Sequence, residues 1–68
     1  MKQFGRLAFQ YCGLWLPVRV YKSAAGYYLG TRGDDGAPIS RESAEYFATE
    51  EIASKALANG GWTQRDEP

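Results

Sequence analysis

The stretch Leu14-Trp15-Leu16-Pro17-Val18-Arg19-Val20-Tyr21, residues 14–21, alternates side chain by side chain. Leu14, Leu16, Val18 and Val20 share one face, and Trp15, Arg19 and Tyr21 share the other, which is the period of a half-buried β-strand. Pro17 has no backbone N–H to offer a ladder, so the strand belongs at a sheet edge or carries a bulge there. Upstream, Arg6 to Tyr11 alternates in the same way, with Leu7, Phe9 and Tyr11 against Arg6, Ala8 and Gln10. It predicts a first strand that turns at Cys12-Gly13.

Downstream, Ser23-Ala24-Ala25-Gly26 predicts a turn, and Tyr27 to Arg32 a third strand with Tyr27 and Leu29 inward and Tyr28 and Arg32 outward. Gly33-Asp34-Asp35-Gly36-Ala37-Pro38 concentrates turn residues and predicts a hairpin loop, after which Ile39 to Ser43 returns as a short fourth strand. Thr49 is the expected N-cap of a helix to about Ala58, with Glu50 and Glu51 in the first turn, where the helix dipole favours negative charge. Ile52, Ala53, Ala56 and Leu57 form its apolar stripe, Glu51 pairs with Lys55 at i,i+4, and Asn59-Gly60 stops it. Trp62 is expected to fold back onto the core, and the chain to fray from Gln64, with 66–68 as the tail. The whole predicts an α+β domain: a three- or four-stranded antiparallel sheet with one C-terminal helix packed on one face.

Sixty-eight residues leave room for a single small domain spanning 1–68. The chain has no His and one Cys, which excludes Ser/His/Asp and Cys/His nucleophile systems, His-bearing zinc sites and an internal disulfide. A non-enzymatic protein follows as the expectation, with no catalytic residue, no metal ligand and no cofactor. Cys12 has no neighbouring His and no second Cys, so it reads as a small buried or half-buried thiol in a reducing compartment. Lys2 and Arg6 before the apolar run Leu7 to Val18 loosely resemble a secretion signal. Gln10 and Pro17 interrupt that run, however, and Arg19 and Lys22 crowd the would-be cleavage region. No stretch approaches the roughly 18 apolar residues of a membrane span, so a cytoplasmic protein without membrane contact is expected.

The formal net charge of zero hides an ordered distribution. Residues 1–33 hold five bases, Lys2, Arg6, Arg19, Lys22 and Arg32, and no acid (+5), whereas residues 34–68 hold eight acids against Arg41, Lys55 and Arg65 (−5). If the halves fold to opposite sides, the molecule presents a basic and an acidic face that steer a charged partner or drive head-to-tail association; if they interleave, they neutralise each other. A homodimer is left open, because a second copy would add burial to a chain this short.

Gly30, Gly33 and Gly36 recur every third residue, and Gly30-Thr31-Arg32-Gly33 matches a GXXG string. Neither has the strand-to-helix or helix-to-helix context of a phosphate or RNA loop, so both read as hairpin chemistry. Asp34 and Asp35 lack further ligands at calcium-loop spacing and read as a solvated turn, and Glu42 and Glu45 read as surface charge rather than as an acid/base pair. The reverse face of the sheet carries the informative set. Arg6 and Gln10 on the first strand, Trp15, Arg19 and Tyr21 on the second, and Tyr28 and Arg32 on the third interleave cations with the residue types enriched at protein-binding hot spots. The same residues could stack bases and hold phosphates.

Tyr27-Tyr28-Leu29-Gly30-Thr31, Ser40-Arg41-Glu42-Ser43, Tyr46-Phe47, Thr49-Glu50-Glu51 and Gly61-Trp62-Thr63-Gln64 resemble short accessory proteins carried by phages, plasmids and integrative elements of bacteria, the anti-CRISPR class among them. The resemblance covers the last two-thirds of the chain. It implies a protein-binding inhibitor from a mobile genetic element that docks on a host nucleoprotein complex such as a CRISPR effector. Two surfaces are candidates for docking: the face bearing Arg6, Trp15, Arg19, Tyr21, Tyr28 and Arg32, or an acidic surface of Asp34, Asp35, Glu42, Glu45, Glu50 and Glu51 that mimics DNA phosphates. The alternative function is direct nucleic-acid binding through the basic aromatic face, against which the low pI of about 6.1 speaks.

Overall fold

Helix, three strands and helix follow one another along the chain: α1 (Arg6–Cys12), β1 (Arg19–Ser23), β2 (Gly26–Arg32), β3 (Pro38–Arg41) and α2 (Glu50–Asn59). The computed structural model describes residues 4–66; Lys2 of the basic half and residues 67–68 of the expected tail lie outside the described residues. The sheet is antiparallel with β2 at its centre, so the α+β class and the packed C-terminal helix are as the sequence predicts, with three strands.

The β1–β2 hairpin pairs Arg19 with Gly30, Val20 with Leu29, Tyr21 with Tyr28, Lys22 with Tyr27 and Ser23 with Gly26 across the Ala24-Ala25 turn. On β2, Leu29 is fully buried, Tyr27 packs on the core, and Tyr28 and Arg32 turn outward, which follows from the two-residue strand period. β3 joins the other edge of β2, with a register shift between Thr31 and Arg32. Beyond β3 the chain leaves the ladder, and Ser43 fills the gap: its hydroxyl accepts the Leu29 N–H at 3.0 Å and donates to the Glu45 carbonyl at 2.9 Å. Phe47 then rejoins β2 by exchanging both backbone hydrogen bonds with Tyr27.

α2 forms as expected. The Thr49 hydroxyl accepts the Ile52 N–H at 3.1 Å, Glu51 and Lys55 approach to 3.5 Å, and Gly60 ends the helix at φ 74. Its buried stripe is narrower than predicted. Ala53 and Ala56 are buried and Leu57 is half-buried over Val18 and Leu29, while Ile52 is 49% exposed, one step around the helix from that contact. Trp62 packs back against this core, as expected. Gln64 and Arg65 do not fray: Gln64 bridges Ser43, and the Arg65 N–H donates to the Glu42 carbonyl at 2.8 Å.

The N-terminal third departs most from the sequence reading. Arg6 to Cys12 is a helix, and Leu14 to Val18 is not a strand; there Pro17 makes only an isolated bridge to Phe4, and β1 starts at Arg19. Of the four apolar residues predicted for one face, Val18 is buried, Leu16 and Val20 are half-buried and Leu14 is 42% exposed. The cause of the helix lies far away in sequence. Gly5, at its N-cap, has no side chain to satisfy the first N–H groups. The Glu42 carboxylate does so instead, accepting Leu7 N–H at 3.0 and 3.1 Å and Ala8 N–H at 3.2 Å. At the other end Gly13, at φ 67, donates its N–H to the Phe9 carbonyl.

Glu42, expected on the surface, is therefore wholly buried. Its oxygens also accept the Ser40 hydroxyl at 2.5 Å and the Gln64 side-chain amide at 2.7 Å. Because the single Ser40 proton goes to Glu42, the 2.6 Å contact between Thr31 and Ser40 must be donated by Thr31. Gly5 sits against this network so closely that a Cβ there would lie 2.5 Å from Thr31 Cγ2 and 2.8 Å from Glu42 Oε2. A buried carboxylate is tolerated when its acceptor sites are filled, and here α1, β3 and the C-terminal segment all fill them.

Candidate functional site

Both helices pack on the sheet face that carries Leu29 and Thr31, which leaves the opposite face without a helix. Strand alternation puts Arg19 and Tyr21 of β1, Tyr28 and Arg32 of β2, and Arg41 of β3 on that outer face. Tyr46, in the excursion after β3, lies across it. The rings form a row: Tyr21 to Tyr28 at 6.0 Å and Tyr28 to Tyr46 at 6.3 Å, the latter edge to face. A guanidinium covers each end of the row, Arg32 at 4.3 Å from the Tyr21 ring centre and Arg41 at 4.5 Å from that of Tyr46.

The two guanidiniums are held but not satisfied. Arg32 Nε and Arg41 Nε are buried without a hydrogen-bond partner. Among the described residues the one ion pair is Lys55 with Glu51, so no acid neutralises Arg19, Arg32 or Arg41. A stacked, planar donor fork without an acceptor is suited to carboxylate or phosphate. Beside Arg41, Tyr28, Pro38, Ile39 and Tyr46 wall a cleft of about 310 Å³.

Four of the six predicted basic-face residues thus come together, Arg19, Tyr21, Tyr28 and Arg32, and two do not. Arg6 is exposed on α1 rather than on a strand, and Trp15 stands in the loop before β1. Trp15 is 65% exposed, stacked on Phe9 at 4.0 Å and edge-on to Phe4 at 5.9 Å, in a separate aromatic patch. The sequence reading missed Arg41 and Tyr46. Neither was legible from a period: Arg41 shares its parity with the apolar Ile39 and the buried Ser43, and Tyr46 lies in an irregular segment.

The acidic set is dispersed. Asp34 and Asp35 are exposed in the β2–β3 turn, where Asp35 accepts the Ala37 N–H at 3.0 Å, and Glu50 and Glu51 are exposed at the start of α2. Glu42 is removed from any surface by its burial. Glu45 accepts the Thr63 N–H at 2.9 and 3.0 Å, and that backbone bond is the main cause holding its carboxyl below the ordinary 4.5, against a smaller opposing effect of desolvation. Cys12, expected buried or half-buried, is exposed. Among the described residues no cluster of three or more His, Cys, Asp or Glu could hold a metal, and no helix is long and apolar enough to cross a membrane. No family model, curated protein or solved structure matches this chain, so its own geometry carries the functional argument.

Proposed function

We propose that this is a non-enzymatic binding protein that docks through the outer sheet face on an acidic surface of a partner protein. The observation that carries this reading is the pair of tyrosine-stacked arginines, Arg32 and Arg41, neither of which has an ion-pair or hydrogen-bond partner among the described residues. Stacking holds the forks in place before binding, so less side-chain entropy is lost when carboxylates arrive. Base stacking, which direct nucleic-acid binding requires, competes for the same rings: guanidiniums cover Tyr21 and Tyr46, and Tyr28 lies between two tyrosines. That observation favours the protein partner over the nucleic-acid alternative. In the mobile-element setting that the sequence resemblance implies, the partner is a protein component of a host nucleoprotein complex such as a CRISPR effector, and docking in the cytoplasm inhibits it.

The test is capture from bacterial lysate by tagged protein, with and without nuclease, alongside the Arg32→Ala/Arg41→Ala double variant. A defined protein complex retained after nuclease and lost with the double variant is the expected result. Recovery of nucleic acid alone, or equal capture by the double variant, overturns the reading.

A further inference from the structure

On the basis of that docking reading, we propose that the cleft beside Arg41 receives an apolar side chain adjacent to a carboxylate, supplied by an extended acidic segment of the partner. The walls define the apolar part: Tyr28, Tyr46, Ile39 and Pro38. A volume of about 310 Å³ is at the small end of ligand pockets, which suits one large side chain better than a cofactor. The two serines of the lining are already committed. Ser23 donates to the Gly26 carbonyl at 3.1 Å, and Ser40 donates to Glu42. Apart from the neutral Tyr28 and Tyr46 hydroxyls, that leaves the Arg41 guanidinium as the charged group there with no acceptor among the described residues, so the ligand brings one anion next to its apolar body.

The face continues past the cleft in a way that fits a chain rather than a small molecule. Arg41 pairs in register with Gly30, and Arg32 is the next outward position along β2. An extended segment projects alternate side chains to one side, so successive outward carboxylates of such a segment would meet Arg41 and then Arg32. Among the described residues no acid pairs with these arginines, which supplies the charge complementarity.

The experiment titrates the isotope-labelled full chain with a blocked peptide, acetyl-Gly-Phe-Gly-Asp-Gly-Asp-Gly-amide, whose Phe and two acids share one side when it is extended, and follows backbone amide shifts. Saturable shifts at Tyr28, Ile39, Arg41 and Tyr46 are expected. Replacing the peptide Phe by Ser, or its acids by Asn, should weaken binding about tenfold or more. Arg41→Gln and Ile39→Ser should do the same on the protein side, with the amide spectrum of each variant reporting that it still folds. Equal binding of the Asn peptide, shifts elsewhere, or no saturation at millimolar peptide overturns the proposal, as does tighter binding of oligothymidylate at the same amides. Should the peptide fail while the Arg32→Ala/Arg41→Ala variant still loses its captured partner, the cleft chemistry falls and the docking face stands. Should that variant keep its partner, the docking reading itself falls.

Discussion

Two oxygens of Glu42 receive hydrogens from α1, from β3 and from the C-terminal segment. Glu42→Ala leaves all those buried donors unpaired, each at a cost of about 1–3 kcal/mol, which is enough to unfold a domain of this size. Glu42→Gln turns an NH₂ toward donors and should cost about 1–3 kcal/mol, measured as a lowered urea midpoint with an unchanged m-value. Gly5→Ala should also destabilise by about 1–3 kcal/mol, because its Cβ meets the Thr31 methyl and the Glu42 carboxylate; Thr31→Ser, which removes that methyl, should recover part of the loss. Glu45 acts through pH. Its folded value lies below its ordinary 4.5, so the stability it contributes is present above that value and drains away as pH falls through the lowered folded value. Acid titration of Glu45→Gln should show a smaller loss across that window than the parent chain. None of this was legible beforehand: a Glu in a polar run looks like surface charge, and burial of its carboxylate depends on donors 34 and 35 residues away.

At the scale of elements, local signals succeeded where the chain closes its own hydrogen bonds. α2 carries its N-cap, first-turn acids and terminal glycine within its own span, and the β1–β2 hairpin carries its turn and alternation. Thr49→Ala should therefore cost about 1 kcal/mol in thermal denaturation, and Thr49→Asp should largely restore it. α1 shows the opposite case. Seven residues with apolar side chains at 7, 9 and 11 satisfy a strand period as well as a short helix does, and the choice falls to the Glu42 cap and to the Leu16 and Ala8 carbonyls, which take the Gly5 and Leu14 N–H groups. Pro17 breaks the ladder as expected: it delays the strand to Arg19, and β1 lies at the edge of the sheet.

Across the whole molecule, three arginines gather on one face whatever their position in the chain. Arg19, Arg32 and Arg41 share the outer sheet face although Arg41 belongs to the acidic half, while Glu50 and Glu51 ride on α2, which packs on the other face. The exposed Phe4, Phe9 and Trp15 cluster is the second large surface feature. In a monomer, Trp15 should be quenched steeply by acrylamide in a Trp62→Phe variant, and Trp62, half-buried on the core, only weakly in a Trp15→Phe variant. Equal, shallow quenching of both would mean that a second copy covers the patch. The sequence by itself determined the α+β class, the central hairpin, the C-terminal helix and the outward Arg19, Tyr21, Tyr28 and Arg32, because periodicity and capping act within a few residues. Only the tertiary structure decided that α1 is a helix, that Glu42 is buried and that Arg41 and Tyr46 complete the face. Those outcomes depend on hydrogen bonds and ring contacts between segments whose separation in the chain says nothing about their distance in space.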